Sequence, residues 1–427
     1  MSLQVWLPLN GSLENLGLAD VGEIDTTHIS FTDNGKIGKC LTGYTGYFNI
    51  PSMTGKKQLS VAYWIRINTA TSTQWLDAFR WYSTDGSSSY ASRNEFYNDC
   101  INTGFWFKGG SISGKTTTVG DWHHHAFTID YETGTAEFYI DGASVGSSSV
   151  VDITHYLTGT NFMIGENGLD TSHNDVRIYD HILSEKEVKE LSKGLVAHYP
   201  LNDFSINPNE TIIYDCSGYG HNGTLSPTPP VAATDSARYL TCMEFNGSNN
   251  YIDLEKDAWL PTDQITVSMW AYMDTWSNTR LISCTESGGF NFEQGSGGGF
   301  RFPVYKSGTG YMYGTPVKKW ADYSPGWHFI VGTFDGYVSK IYIDGEYDCG
   351  SATSDAKAPI GYNISAKLFI GCEAATANPS APYFKGKISD VRIYCTALSA
   401  EDIKALYETS VSIDDKGNFH AYEISEV

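Results

Sequence analysis

The sequence predicts an all-β protein made of two tandem sandwiches of one fold. Three observations carry this: a composition rich in glycine and aromatic residues and poor in charge, hydrophobic alternation with a period of two, and an internal repeat that spans most of the chain. The 427 residues include Gly 43, Tyr 28 and Trp 11, with 14% aromatic and 18% charged residues; an average soluble chain carries about 25% charge. At about 100 to 200 residues per domain, the length favours two or three domains.

The repeat sets the boundaries. Trp6-Leu-Pro-Leu-Asn10 returns as His198-Tyr-Pro-Leu-Asn202, and Leu59-Ser-Val-Ala-Tyr-Trp64 returns as Ile265-Thr-Val-Ser-Met-Trp270. Trp122-His123 matches Trp327-His328, and Phe138-Tyr-Ile-Asp-Gly142 matches Ile341-Tyr-Ile-Asp-Gly345. Asp175-Val-Arg-Ile-Tyr179 is identical to Asp390-Val-Arg-Ile-Tyr394. The spacing between copies grows along the chain, so the second copy carries loop insertions. Residues 1–193 form one domain in this reading, 194–409 a second, and 410–427 a tail.

Each copy reads as short antiparallel strands. Ser60, Ala62 and Trp64 oppose Val61, Tyr63 and Ile65, while Phe127, Ile129 and Tyr131 alternate with Thr128 and Asp130, the signature of half-buried strands. The repeated Tyr-Ile-Asp-Gly ends a strand in an Asp-Gly turn, a hairpin signal. One short surface helix closes each copy. Leu183–Leu191 begins with Ser184 as cap and Glu187 completing a capping box, and Leu398–Leu406 places Ser399 and Asp402 likewise. Lys193-Gly194 leads straight into Leu195, so the reading expects two domains at a nearly fixed angle. Residues 410–424 alternate around Asp-Lys-Gly-Asn and predict a C-terminal hairpin.

Charge excludes several classes. Lys+Arg 28 against Asp+Glu 49 leaves a net charge of −21, which opposes binding to nucleic-acid phosphates and to anionic membrane surfaces. No run approaches the roughly 18 apolar residues of a membrane span. The N-terminus lacks the basic and apolar regions of a signal peptide, so synthesis in the cytoplasm is expected. The Cys 8 form no Cys-x-x-Cys pair, and Cys40 and Cys242 occupy one repeated position that suits a small buried residue.

Trp122-His123 before a strand, the Tyr-Ile-Asp-Gly turn, Asp-Val-Arg-Ile-Tyr followed by Leu-Ser-x-x-x-(Val/Ile)-Lys-x-Leu, and Tyr199-Pro-Leu-Asn202 leading to Asp215-Cys-Ser-Gly-Tyr-Gly-His-Asn-Gly-Thr224 resemble laminin G-like jellyroll domains of the concanavalin A-like lectin/glucanase superfamily. The resemblance covers both copies, from residue 3 to about 409. It implies two concanavalin A-like jellyroll β-sandwiches, each with a concave face and rim loops that in many members bind glycans or proteins. The arrangement as a whole also resembles structural or tail-associated proteins of phages and prophages of gut Firmicutes. That resemblance implies a virion or extracellular location, with other virion proteins and a cell-surface glycan as partners.

Each candidate for chemistry has a plainer structural role beside it. Glycoside hydrolysis needs two carboxylates about 5 to 10 Å apart; hydrolases of the resembled superfamily carry Glu-x-Asp-x-(x)-Glu on one strand. The nearest match, Glu23-Ile-Asp-Thr-Thr-His28, has His28 in the last place, so no converging pair and no enzyme are expected. His123 and His125 share a strand face, but no third ligand is visible, and His123 matches His328, which favours an oriented structural histidine. Asp203 and Asp215, with carbonyls of 217–223, are candidate ligands for a structural calcium ion; the second copy alone carries this segment, and the alternative is a turn whose Asp and Ser bond local backbone.

The aromatics offer more. Phe105-Trp-Phe107 is aligned with Phe300-Arg-Phe302, so the phenylalanines should point inward and Trp106 and Arg301 outward. Around them lie Trp75, Trp81, Tyr82, Tyr90 and Tyr97 in the first copy, and Trp276, Tyr305, Tyr311 and Tyr313 in the second. Sugar C–H faces stack on such rings, although most aromatics of a sandwich fill its core. The expected ligand contacts are Trp81, Tyr97, Trp106, Trp276, Arg301, Tyr305, Tyr311 and Tyr313. The expected function is non-catalytic carbohydrate binding or structural assembly, with a glycan-degrading role as the alternative.

Overall fold

In the computed structural model, the described residues are 2–22, 26–45, 48–70, 75–82, 92–97, 102–149, 151–154, 157, 161–202, 206–207, 211–234, 241–254, 259–273, 279–285, 287–294, 298–363, 365–375, 377–413 and 419–423, the side chains of 206–207, 273, 410–413 and 419–423 excepted. The chain divides into unit 1, Met1–Lys193, and unit 2, Gly194–Val427.

Unit 1 is a sandwich of two antiparallel sheets. The first runs in the order Ala143–Ser148, Thr135–Ile140, Trp122–Asp130, Gln58–Ile67, Thr171–Tyr179, Cys40–Gly43, Ile29–Thr32, with Leu3–Leu7 added beside Thr171–Tyr179. The second runs Phe48–Asn49, Asn161–Ile164, Leu76–Trp81, Ser92–Tyr97, Asn102–Phe107, Gly110–Thr116. Alternation sends Val61, Phe127 and Ile178 of the first sheet against Phe79, Phe105 and Phe162 of the second, in one core. Unit 2 repeats the plan. Its first sheet runs Val231–Ala233, Cys242–Asn246, Lys385–Tyr394, Ile265–Met273, Gly326–Phe334, Ser339–Ile343, Glu346–Gly350, with Leu195–Tyr199 on Lys385–Tyr394. The second includes Ile252–Asp253, Phe369–Ile370, Arg280–Ser283, Asn291–Gln294 and Phe300–Arg301 in that order.

The repeated motifs have physical reasons. Asp141 and Asp344 of the Asp-Gly turns adopt φ of 52° and 53°, a conformation Asp tolerates better than most residues. Each carboxylate then reaches back to the preceding strand. Asp141 Oδ2 lies 2.7 Å from His123 Nδ1 and its Oδ1 accepts the His124 N–H at 2.8 Å; Asp344 Oδ2 lies 2.6 Å from His328 Nδ1 and its Oδ1 accepts the Phe329 N–H at 2.9 Å. His123 and His328 are thus oriented structural residues. The Asp-Val-Arg-Ile-Tyr motif marks a bulge in both units, with Asp175 and Asp390 at φ of 53° and 52°. Asp175 accepts from Trp6 Nε1 at 2.7 Å and from Arg177 Nε at 3.0 Å; Asp390 pairs with His198 Nε2 at 2.9 Å and Arg392 Nε at 2.8 Å.

The helices are α1, Glu185–Lys193, and α2, Ala400–Glu408. The capping box of α1 is formed, with Ser184 N–H donating to Glu187 Oε2 at 2.8 Å and Glu187 N–H to Ser184 Oγ at 3.3 Å. α1 packs on Ala62, Ala126 and Tyr179, and α2 on Phe329, Tyr342 and Tyr394, each on the outer face of the first sheet of its unit. Thr409–Ile413 and Phe419–Glu423 pair as the C-terminal hairpin. Cys40 and Cys242 are fully buried, each opening a strand.

Candidate functional site

The outer face of the second sheet of unit 1 gathers polar and aromatic side chains in rows. Strand registers put Asp77 opposite Glu95 and Glu95 opposite Gly104, while Arg80 lies opposite Arg93 and Arg93 opposite Trp106. A carboxylate row therefore runs beside a guanidinium row. Arg80 contacts Asp77 through Nε and lies 3.7 Å from Glu166, and Arg93 pairs with Glu95 at 2.5 Å. Glu166 Oε2 also accepts the Asp77 N–H at 2.7 Å. Burial drives the Asp77 carboxyl up to about 7 against the pull of Arg80, and burial likewise raises Glu95.

Next to these rows stand three rings. Trp75 is 51% exposed; it stacks on Tyr97 with centroids 4.1 Å apart and meets Trp106 edge-on at 4.9 Å. Trp106 reaches this cluster because its indole lies along its own strand over Gly104, where a Cβ would sit 2.5 Å from Cη2. Arg93 is 6.0 Å from the Trp106 ring. Glycine at 104 is thus a condition for the three-ring surface.

Of the residues expected to contact ligand, Tyr97 and Trp106 belong to this cluster. Trp81 does not: it is fully buried and stacks on Phe162 at 6.0 Å, because alternation along Leu76–Trp81 sends Phe79 and Trp81 to the core and Arg80 outward. Trp276 and Tyr90 lie outside the described residues, as do Glu23 and Asp25.

The other four expected contacts are in unit 2. Arg301 faces outward, 3.6 Å from Glu293 and 4.7 Å from the ring of the exposed Tyr313. Its match is not Trp106. Gly165 N–H bonds Ala78 O and Gly371 N–H bonds Leu281 O, which makes Arg280 the counterpart of Asp77. Since Asp77 opposes Glu95 and Arg280 opposes Glu293, the partner of Glu293, Arg301, corresponds to Gly104. The two Phe-x-Phe segments are therefore offset by two residues, and Phe302 corresponds to Phe105. The row that reads Asp77–Glu95–Gly104 in unit 1 becomes Arg280–Glu293–Arg301 in unit 2, and an arginine stands where the indole would lie. Arg280 also pairs with Glu373 at 2.7 Å. Tyr305 and Tyr311 face each other edge-on at 5.1 Å on the hairpin Val304–Lys306/Gly310–Met312, and the Tyr311 hydroxyl donates to Gly288 O and accepts its N–H, both at 3.0 Å. Tyr311 thereby fixes the hairpin.

Asp203 lies outside the described residues. Asp215 has both oxygens engaged: Oδ1 accepts from the N–H groups of His198 and Ser217, each at 2.9 Å, and Oδ2 from Ser217 Oγ at 2.7 Å and His221 N–H at 3.0 Å. This donor set makes Asp215 the organiser of its turn. Among the described residues no group of three or more His, Cys, Asp or Glu is placed to hold a metal ion.

The sequence reading missed the acidic pair. Spacing along the chain reports carboxylates on one strand, whereas Asp77 and Glu95 meet across two. The available signal was the alternation of Arg93, Glu95 and Tyr97 against the inward Asn94 and Phe96.

No curated protein sequence matches the chain. Among solved structures it is similar to domain 4 of AbnA, a GH43 extracellular arabinanase from Geobacillus stearothermophilus, in complex with arabinotriose (22% identity, 50% of this chain and 98% of that one, TM-score 0.38). It is also similar to the receptor binding domain of botulinum neurotoxin D (12% identity, 92% and 93%, TM-score 0.38) and to domains LG4-5 of the mouse laminin alpha1 chain (14% identity, 90% and 96%, TM-score 0.30). The family model of the concanavalin A-like lectin/glucanases superfamily matches residues 42–189 and 246–404. With both sandwiches matched over most of their length, the chain belongs to the concanavalin A-like lectin/glucanases superfamily.

Proposed function

We propose that the chain is a non-catalytic carbohydrate-binding, adhesive protein that holds a glycan on the Trp75–Tyr97–Trp106 surface of unit 1. The observation that carries this reading is the cluster of the exposed Trp75 with the half-buried Tyr97 and Trp106 beside guanidinium and carboxylate rows. Rings receive the C–H face of a sugar, and charged groups at their edge receive its hydroxyls. The finer context is a phage tail or virion-associated component that recognises a host-surface glycan and contacts other virion proteins. It is supported by the resemblance in domain arrangement described above.

A glycan-cleaving reading has one observation in its favour, the raised carboxyl of Asp77 opposite Glu95. A general acid must touch the glycosidic oxygen, and Asp77 is 0% and Glu95 1% exposed, each engaged by an arginine. The geometry therefore favours binding over cleavage. A glycan array probed with the purified chain tests the reading. Binding that Trp106→Ala abolishes, with no release of reducing sugar, supports it. Release of reducing sugar that Asp77→Asn and Glu95→Gln stop would move the protein to the enzymatic alternative. An array silent on every glycan would leave an assembly role.

A further inference from the structure

Unit 2 carries a separate row on the outer face of its first sheet. The registers place Glu244 opposite Lys387, Lys387 opposite Tyr272, and Tyr272 opposite Trp327, on four neighbouring strands. Alternation turns all four away from the core, since Phe245, Ile388 and Ala271 between them are buried. Helix α2 covers part of this face, including Phe329, Tyr342 and Tyr394, and its Tyr407 packs on Trp270 at 5.6 Å and on Phe329 at 6.2 Å. Beyond the helix the row opens into a cleft of about 730 Å³ that Thr228, Asn246 and Lys385 also line. Clefts of this size hold small ligands of one or a few rings.

The cleft is built to a fixed shape. Asn250 accepts the Asn246 N–H at 2.7 Å and donates to the carbonyls of Thr228 at 2.7 Å and Pro229 at 3.2 Å, which ties the wall to the floor. Gly386, at φ of 148°, lies so near the neighbouring strand that a Cβ would fall 2.3 Å from Tyr272 O. Glycine beside Lys387 lets the two strands approach closely at Tyr272. Lys387 Nζ is 5.0 Å from the Tyr272 ring centroid, and Lys385 is exposed.

Among the described residues that line the cleft, two ammonium groups, Lys385 and Lys387, and one carboxylate, Glu244, come together, in a chain of net charge −21. The same row of unit 1 reads Trp122–Arg66–Ser172–Thr42, with Arg66 lying 4.9 Å from the Trp122 ring and small hydroxyls in place of Lys387 and Glu244. We propose that the unit 2 cleft is a second saccharide site, selective for an acidic sugar such as a uronate. Lys385 and Lys387 hold its carboxylate, and the ring of Tyr272 takes its apolar face. This site rests on its own residues and stands whether or not unit 1 binds a glycan.

Calorimetric titration of the full chain with trigalacturonate, and with its fully methyl-esterified form, tests the proposal. The acid is expected to bind and to weaken as salt rises. The double variant Lys385→Gln/Lys387→Gln should lose about tenfold or more in affinity, because both charge-assisted contacts vanish, and Tyr272→Ala should weaken it further. The ester should bind at least tenfold more weakly than the acid. Absence of acid binding, an ester that binds equally, or full affinity in a double variant whose circular dichroism is unchanged would each overturn it.

Discussion

At the centre of unit 1 stand Tyr63, Asn94, His125 and His173; the matching positions of unit 2 hold Met269, Phe292, Ile330 and Ile388. In unit 1, Asn94 Oδ1 receives the Tyr63 hydroxyl at 2.6 Å and His125 Nδ1 at 2.9 Å, and its amide donates to Thr103 Oγ1 at 3.0 Å and Gly104 O at 2.8 Å. Three imidazole nitrogens, His125 Nε2 and both of His173, have no partner among the described residues. Unit 1 gives up stability at this point, because these buried imidazoles without partners cost desolvation energy. Its polar island lies directly beneath the strand that carries Arg93, Glu95 and Tyr97 and is bonded to Gly104, so it fixes the backbone on which the rings rest. Unit 2 fills the same space with hydrocarbon and carries arginine in place of Gly104.

The largest expected effects lie where the cores differ in volume. Phe105 stacks on Phe127 at 4.3 Å, whereas Phe302 occupies the space above Gly332, the counterpart of Phe127, where a Cβ would fall 2.2 Å from Cγ. Phe127→Ala should cost unit 1 about 3 to 5 kcal/mol. Gly332→Ala should cost unit 2 about 1 to 3 kcal/mol by overpacking. Denaturant melts that report each unit separately check both, and a Gly332→Ala variant as stable as the parent would break the correspondence between Phe105 and Phe302.

A smaller effect has the opposite sign. His173→Ile, which brings in the unit 2 residue, should stabilise unit 1 by about 1 to 2 kcal/mol, because it removes an unpaired buried imidazole. The same islands separate the units by pH. Burial lowers His124 to about 4 and His125 and His173 to about 3, from an ordinary value of 6.5. The unfolded chain binds these protons more readily, so each histidine withdraws stability from unit 1 as pH falls from 6.5 toward 3. Asp77, raised to about 7 from 3.8, and Glu95, also raised, act the other way, because the folded state takes up those protons first. Three imidazoles outweigh the two carboxyls. In unit 2 His198 is lowered and His328 raised, so their contributions oppose each other. Calorimetry between pH 7 and pH 4.5 should show the unit 1 transition falling faster; parallel transitions would contradict the assignment.

Much of the fold was legible in the sequence, because strand alternation, Asp-Gly turns and Ser-capped helices are local signals. The repeat marks Asp-Val-Arg-Ile-Tyr as a shared motif, but its bulge and its bonds to Trp6 and His198 appear only in the structure. The candidate site was legible only in part. The outward direction of Trp106 and Arg301 followed from alternation, but their correspondence did not, because a shift of two residues preserves which face a side chain occupies. Trp81 was misplaced for want of the register of Leu76–Trp81. The rows Asp77–Glu95 and Glu244–Lys387–Tyr272–Trp327 exist only across strands, where sequence spacing carries no information.

The smallest change in bulk has a sharp expected consequence. Gly104→Ala should alter unit 1 stability by under about 1 kcal/mol, since the added methyl meets the Trp106 ring rather than the core. It should nonetheless reduce glycan binding as strongly as Trp106→Ala, by dislodging the indole. Equal binding by Gly104→Ala and the parent would separate the ring cluster from recognition.

The most direct measurement is a calorimetric titration of the strongest neutral glycan from the array into the full chain, its Trp75→Ala variant and its Tyr313→Ala variant. Loss of one stacking ring should weaken binding about tenfold in Trp75→Ala, while Tyr313→Ala keeps the parent affinity. Parent affinity in Trp75→Ala, or loss confined to Tyr313→Ala, would contradict placing the neutral-glycan site on unit 1.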